Sequence, residues 1–207
     1  MKNPWEEIPL DDYEKHMSLD SVMQLQTMNT IMKEQLGAYP VRTAMILGVA
    51  GGNGLGHVDI GKYDKVYGVD INEEYLHAAA ERYAELSGIL QCLRVDLMSD
   101  YGSLPHAGLV IANLLVEYIG YEAFGKVIGQ VDPEYVSCAI QINKGEGTWV
   151  SDSPYLHVFD GLDAVHHQME ESHIVTALKN TGYTPVLRQE YPLPNGKSLL
   201  RLDFRKG

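Results

Sequence analysis

Met45-Ile46-Leu47-Gly48-Val49-Ala50-Gly51-Gly52-Asn53-Gly54-Leu55-Gly56 is an apolar run that breaks into glycines. The run has the length of a buried strand. The glycines after it can take positive φ and let a ligand approach the backbone with no Cβ in the way. At the carboxyl end of a first strand, such a turn is where open α/β sheets bind nucleotides. A glycine turn is also a plain tight connection, so the flanking segments must decide.

Downstream, strand and helix alternate. Apolar runs at 44–49, 65–69, 90–95, 108–112 and 136–142 read as buried strands. Helical patterns lie between and after them: a short one at 55–60, then 73–86, 122–130 and 169–180. Strands separated by helices imply right-handed crossovers and a mostly parallel sheet covered on both faces. The C-terminal part departs from this rhythm. Segments 185–191 and 198–205 are strand-like, and Asn195-Gly196 between them is a hairpin signal. Leu200, Leu202 and Phe204 alternate with Arg201 and Asp203, the pattern of a half-buried strand. Upstream, 18–36 reads as one helix through Leu19, Val22, Met23, Leu25, Ile31, Met32 and Leu36. Ser18 or Asp20 would cap it, and Gly37 and Pro40 would end it.

Composition narrows the function classes. A chain of 207 residues with 45% apolar and 21% charged residues fits one globular domain. No apolar run approaches the roughly 20 residues of a membrane span. Segment 1–10 is acidic, carries Pro4 and Pro9, and lacks the basic and apolar parts of a secretory signal. A cytoplasmic protein without a membrane partner is expected. The net charge of −12, with no Lys/Arg stripe, argues against nucleic acid as a partner. Cys92 and Cys138 lie in apolar stretches without zinc-ligand spacing and read as reduced, buried thiols. His166, Glu170 and His173 would share a face of a continuous helix. With no further ligand evident, a solvated polar face accounts for them better than a metal.

What ends the strands is more telling. The second runs into Asp70-Ile71, the third into Asp96-Leu97 and the fourth into Asn113-Leu114, all at the same edge as the glycine turn. A carboxylate after the second strand can accept hydrogen bonds from both hydroxyls of a ribose. One such residue could be a turn former. Three in line with a glycine turn are better explained by a shared ligand.

This order, closed by a terminal hairpin, resembles the class I S-adenosylmethionine-dependent methyltransferases over nearly everything after the first helix. The resemblance implies an α/β, Rossmann-like, mostly parallel seven-stranded sheet flanked by helices and ending in an antiparallel β-hairpin, in a single domain over 1–207. It implies S-adenosylmethionine as cofactor and in-line methyl transfer to a small-molecule acceptor. Gly51, Gly52 and Gly54, with Gly48 and Ala50, would lie against the methionine and ribose portions. Asp70 with Ile71 would bind the ribose hydroxyls, Asp96 with Leu97 the adenine amine, and Asn113 with Leu114 would lie near the methyl donor. Two positions depart from the family. Gly48 stands where an acid usually ends the first strand, which removes a polar contact to the methionine end. Ala50 stands for the first glycine of the usual alternating set, adding one methyl group.

A sulfonium is already an activated methyl donor, so the protein mainly aligns the partners and excludes water. A hydroxyl or ammonium acceptor also needs a base. By resemblance Asn113, Glu117 and Tyr118 lie closest to the reaction, although Glu117 could as well face water at a helix start. The acceptor is expected beneath an N-terminal helical lid, 1–40, carrying Tyr13 and His16. A substrate-side loop, 144–167, would cover it with Trp149, Tyr155, His157, His166 and His167. Two other readings compete. An NAD(P)-dependent oxidoreductase would share the turn and the acid, but Gly-x-Gly-x-x-Gly fails from Gly52, where the sixth position is His57. It fails also from Gly51, where the third is Asn53. A non-catalytic S-adenosylmethionine-binding protein is kept open by Gly48.

Overall fold

The computed structural model describes residues 3–143 and 149–207. Seven strands form one sheet: β1 (Thr43–Leu47), β2 (Lys65–Asp70), β3 (Leu90–Arg94), β4 (Leu109–Asn113), β5 (Tyr135–Ile142), β6 (Tyr183–Pro192) and β7 (Ser198–Lys206). Their order is β3-β2-β1-β4-β5-β7-β6. The first five are parallel, and β7 runs antiparallel between β5 and β6. Gly196, at φ +80°, serves the expected hairpin turn. Because β2 and β4 flank β1 on opposite sides, the connections leaving β1 and β4 diverge, and a crevice opens at their carboxyl ends.

The continuous apolar strands are explained by cover on both faces. Met45 and Leu47 of β1 pack with Val110, Phe124 and Val127 on one side. Ala44 and Ile46 pack with Met32, Leu36 and Leu76 on the other. The first side is covered by α4 (Val116–Val131) and α5 (Glu171–Asn180), the second by α2 (Gln24–Ala38) and α3 (Glu73–Arg82).

Several boundaries differ from the sequence reading. The helix expected over 18–36 begins only at Gln24, as α2, and Ser18 instead ends a separate helix, α1 (Leu10–Ser18), because the amides of Val22 and Met23 turn back onto the Leu19 carbonyl and Met23 takes φ +54°. The apolar residues of that turn mimic helical periodicity, since Val22 is fully buried without being helical. Segment 55–60 holds only a 3-10 turn at Leu55–His57. Helix α4 begins at Val116 rather than 122, with a kink at Gly120 (φ 72°, ψ 168°) that hides its first turn from a periodicity count. Cys138 is buried as expected, whereas Cys92 is only half-buried; both thiols are free.

Two expectations need larger correction. Helix α2 is not a cover over 1–40 but a core layer, with Met28 and Ile31 packed against Ala139 and Leu199. Only the segment before it lies over the crevice. Secondly, β7 is not half-buried: Arg201 is 2% exposed and Asp203 0%. The charged face of β7 lies beneath α2 and β5 residues that match it. Asp203 bonds Ser137 and the Tyr39 hydroxyl, and Glu34 pairs with Arg201 at 3.1 Å.

Candidate active site

The glycine turn is built around Asp70. The amides of Gly48 and Val49 both donate to the Val69 carbonyl, at 2.8 and 3.0 Å. Gly48 at φ +67° and Ala50 at φ +46° curl the chain over the end of β2. The Ala50 amide then donates to Asp70 Oδ2 at 2.9 Å, and the Asn72 amide donates to Oδ1 at 3.0 Å. Burial raises the Asp70 carboxyl above its usual range, and the backbone amides at Asn72 and Ala50 counter it. Each carboxylate oxygen keeps a further lone pair for a ligand hydroxyl.

A crevice opens here. Gly48 and Ala50, Asp70 and Ile71, Asp96 and Leu97, and Asn113 and Leu114 all line it, so four strand ends converge as the sequence implied. Gly51 lines an adjoining cavity with Tyr13, Glu14 and Met32. Gly52 and Gly54 line neither. A Cβ on Gly52 would stand 2.7 Å from the Tyr83 ring, and one on Gly54 would run into Met32. These two glycines admit protein side chains, not a ligand.

A second cavity shares Trp5, Tyr13, Leu114 and Tyr118 with the first. Glu117 is buried in its wall at 4% exposure. Its Oε1 accepts the Gln141 amide at 2.8 Å, while Oε2 is buried with no hydrogen-bond partner among the described residues. Burial pushes this carboxyl up to about 7. The water-facing alternative for Glu117 is thereby set aside. The Tyr118 ring meets Trp5 edge-on at 4.8 Å, and burial raises its hydroxyl well above the ordinary range. His16 is buried with a ring nitrogen 2.7 Å from Ser153 Oγ. His166 stacks on Trp149 at 3.9 Å.

Other assigned residues are engaged differently. The Asn113 amide is engaged on both halves by Gln35, at 2.9 and 2.8 Å, so it braces the end of β4 against α2. His157 and His167 are exposed and line neither large cavity; His167 contributes its backbone amide to the Glu117 carbonyl at 2.7 Å. Residues 144–148 of the substrate-side loop lie outside the described residues. Glu170 precedes α5, so His166, Glu170 and His173 do not share a helix face. Among the described residues no group of three His, Cys, Asp or Glu side chains is placed to hold a metal.

Trp5 was missed by sequence reading. It sits in a 3-10 turn, Pro4–Glu6, whose capping box pairs Asn3 with Glu6. That Asn-x-x-Glu spacing is the signal that could have shown an ordered N-terminal cover. The cover is tied to α3: Asn72 Nδ2 donates to the Trp5 carbonyl at 2.9 Å, and the Tyr75 hydroxyl donates to that of Ile8 at 2.8 Å.

No family model matches the chain, and no curated protein matches its sequence. Its fold does match solved structures. Magnesium protoporphyrin IX methyltransferase (ChlM) from Synechocystis PCC 6803, with bound SAH, superposes with a TM-score of 0.70 at 15% identity, over 98% of this chain and 96% of that one. The chain has the methyltransferase fold. The N-methyltransferase NodS from Bradyrhizobium japonicum WM9, in complex with S-adenosyl-l-homocysteine, shares it with a TM-score of 0.65 at 13% identity, over 95% and 97% of the two chains. The [4+2]-cyclase SpnF also shares this methyltransferase fold, with a TM-score of 0.67 at 11% identity over 89% and 82%. The shared fold therefore does not by itself fix which reaction follows.

Proposed function

We propose that this chain binds S-adenosylmethionine in the first cavity and transfers its methyl group to a small molecule held in the second. The observation that carries this reading is the pair of cavities joined at Tyr13, Leu114 and Tyr118, one floored by Asp70 and Asp96, the other walled by buried Glu117. The Asp70 oxygens, each holding one backbone amide, fit a ribose diol. Ile71, Leu97, Met98 and Ile119 offer apolar walls for a planar base, with Asp96 beside them for its amine. The third cavity would take the amino-acid end, with Glu14 the acid in its wall where Gly48 supplies none. When bound, the sulfonium supplies an electrophilic methyl carbon. The protein's part is to align the acceptor and keep water out. Trp5, Tyr13 and the 149–166 segment provide that cover, which must open for exchange. A net charge of −12 favours a small molecule over nucleic acid as acceptor.

Calorimetric titration with S-adenosylmethionine, S-adenosylhomocysteine, NAD and NADP tests the reading. Saturable binding of the first two is expected; binding of NAD alone overturns it. Asp70→Ala should weaken S-adenosylhomocysteine roughly tenfold or more, since a hydrogen bond to a charged acceptor contributes about 1.5–3 kcal/mol.

A further inference from the structure

The second cavity contains one acid, and its other described walls are neutral. Glu117 Oε2 is buried and unmatched among the described residues. A buried acceptor in that state is satisfied when a ligand brings an N–H or O–H to it. Rings surround the space. Tyr118 lies 4.8 Å from Trp5 and 6.3 Å from Trp149, and Phe159 lies 4.7 Å from His16. Aromatic faces attract cations, the more so where water is excluded.

The basic groups nearby do not compete for Glu117. Burial and then the Lys197 charge lower His16; burial and then His167 lower His166 to about 4. Both rings are therefore neutral near pH 7. No Lys or Arg is among the described lining residues. Lys197 stands behind the wall, committed to the Trp149 carbonyl at 2.6 Å and to Ser151 Oγ at 3.3 Å. An anionic guest would meet a carboxylate, and a neutral one would leave the rings' affinity for charge unused.

We propose that the second cavity binds a small protonated amine, that Glu117 Oε2 receives its proton, and that the freed nitrogen is the methyl acceptor. The assignment deepens the methyl-transfer reading and rests on it. In the step, the N–H bond breaks and its proton goes to Glu117, leaving a lone pair on nitrogen. That pair forms the new N–CH3 bond, while the pair of the broken C–S bond stays on sulfur. The positive charge passes from sulfur to the product nitrogen.

A carboxyl near 7 is suited to take that proton at neutral pH. The titratable groups around it are Tyr118 and Tyr121 on its own helix, Cys138 on β5, Tyr13 and His16 on α1, and His166 on the covering segment. The tyrosines and the Cys138 thiol are all raised by burial. Glu117 is thus the proton acceptor of the set.

The test is calorimetry, with and without saturating S-adenosylhomocysteine, on propylamine, benzylamine and phenethylamine. Each is paired with its alcohol and carboxylate of like shape. At least one amine should bind tenfold or more tightly than its alcohol, and the carboxylates should give no saturable heat. Glu117→Gln should erase that preference. If no amine outbinds its alcohol, or if the preference survives in Glu117→Gln, the assignment is overturned. Amine binding without any S-adenosylhomocysteine binding would keep the amine site and remove methyl transfer from it.

Discussion

Asp203 on β7 and Glu117 at the start of α4 are carboxylates shut away from water, at 0% and 4% exposure. Asp203 is saturated. Its Oδ1 accepts Ser137 Oγ and Arg201 Nε, and its Oδ2 accepts the Tyr39 hydroxyl at 2.7 Å and an Arg201 amine at 2.5 Å. Glu117 has the Gln141 amide on one oxygen and, among the described residues, no hydrogen-bond partner on the other. A buried charge whose every lone pair is matched ties α2 to the sheet. One left half-matched beside a cavity is the feature on which the proposed amine site rests.

The largest test of that contrast is Asp203→Ala. It removes the buried Arg201 guanidinium's paired carboxylate, leaving it Glu34 and the Tyr191 hydroxyl, and should cost about 3–5 kcal/mol in denaturant unfolding. A loss below about 1 kcal/mol would show the network to be incidental to stability.

Glu117 should act in the opposite sense. Its carboxyl stands at about 7 in the folded protein against an ordinary 4.5, so the folded state keeps a proton that the unfolded chain releases. Its contribution is therefore fully present below pH 4.5 and lost as pH rises towards 7. The loss amounts to about 3 kcal/mol at most. Asp70, also raised by burial, changes with the same sign, so the informative quantity is the difference between parent and variant. Glu117→Gln should match the parent near pH 4.5 and exceed it at pH 8. Parallel stability curves for the two would mean that Glu117 is ionised without penalty.

The smallest effect separates scaffold from site within the glycine turn itself. Gly54→Ala forces a side chain at φ +93° into Met32 and should cost about 1–3 kcal/mol, leaving the cofactor affinity of folded protein unchanged. Gly48→Ala places a Cβ 3.2 Å from Leu115 Cδ1, at the wall of the first cavity. It should cost about 1 kcal/mol in stability and weaken S-adenosylhomocysteine more than Gly54→Ala does. Equal affinities would remove Gly48 from the site.

Much of this was legible in the sequence because it is local. The parallel strands announced themselves as apolar runs, and the hairpin as Asn195-Gly196. The edge at which Asp70, Asp96 and Asn113 gather followed from where the strands stop. Each signal is carried by neighbours along the chain, where periodicity and turn chemistry act. The earlier start of α4, at Val116 rather than 122, came from a kink at Gly120 that no periodicity records.

Which buried charges are matched was decided only by tertiary structure. Arg201 and Asp203 alternate with leucines as if facing water, and the partners that let them be buried come from α2, β5 and the approach to β1. Glu117 read equally well as a solvated helix start. The Gln141 backbone and the cover of Trp149, Phe159 and His166 bury it, and all lie far from it along the chain. The physical reason is desolvation. The cost of a charge depends on what encloses it in three dimensions, and contacts between distant segments leave no local trace in sequence. Sequence therefore determined the sheet and the edge where a ligand would bind. Packing decided which carboxylate there is left wanting a proton.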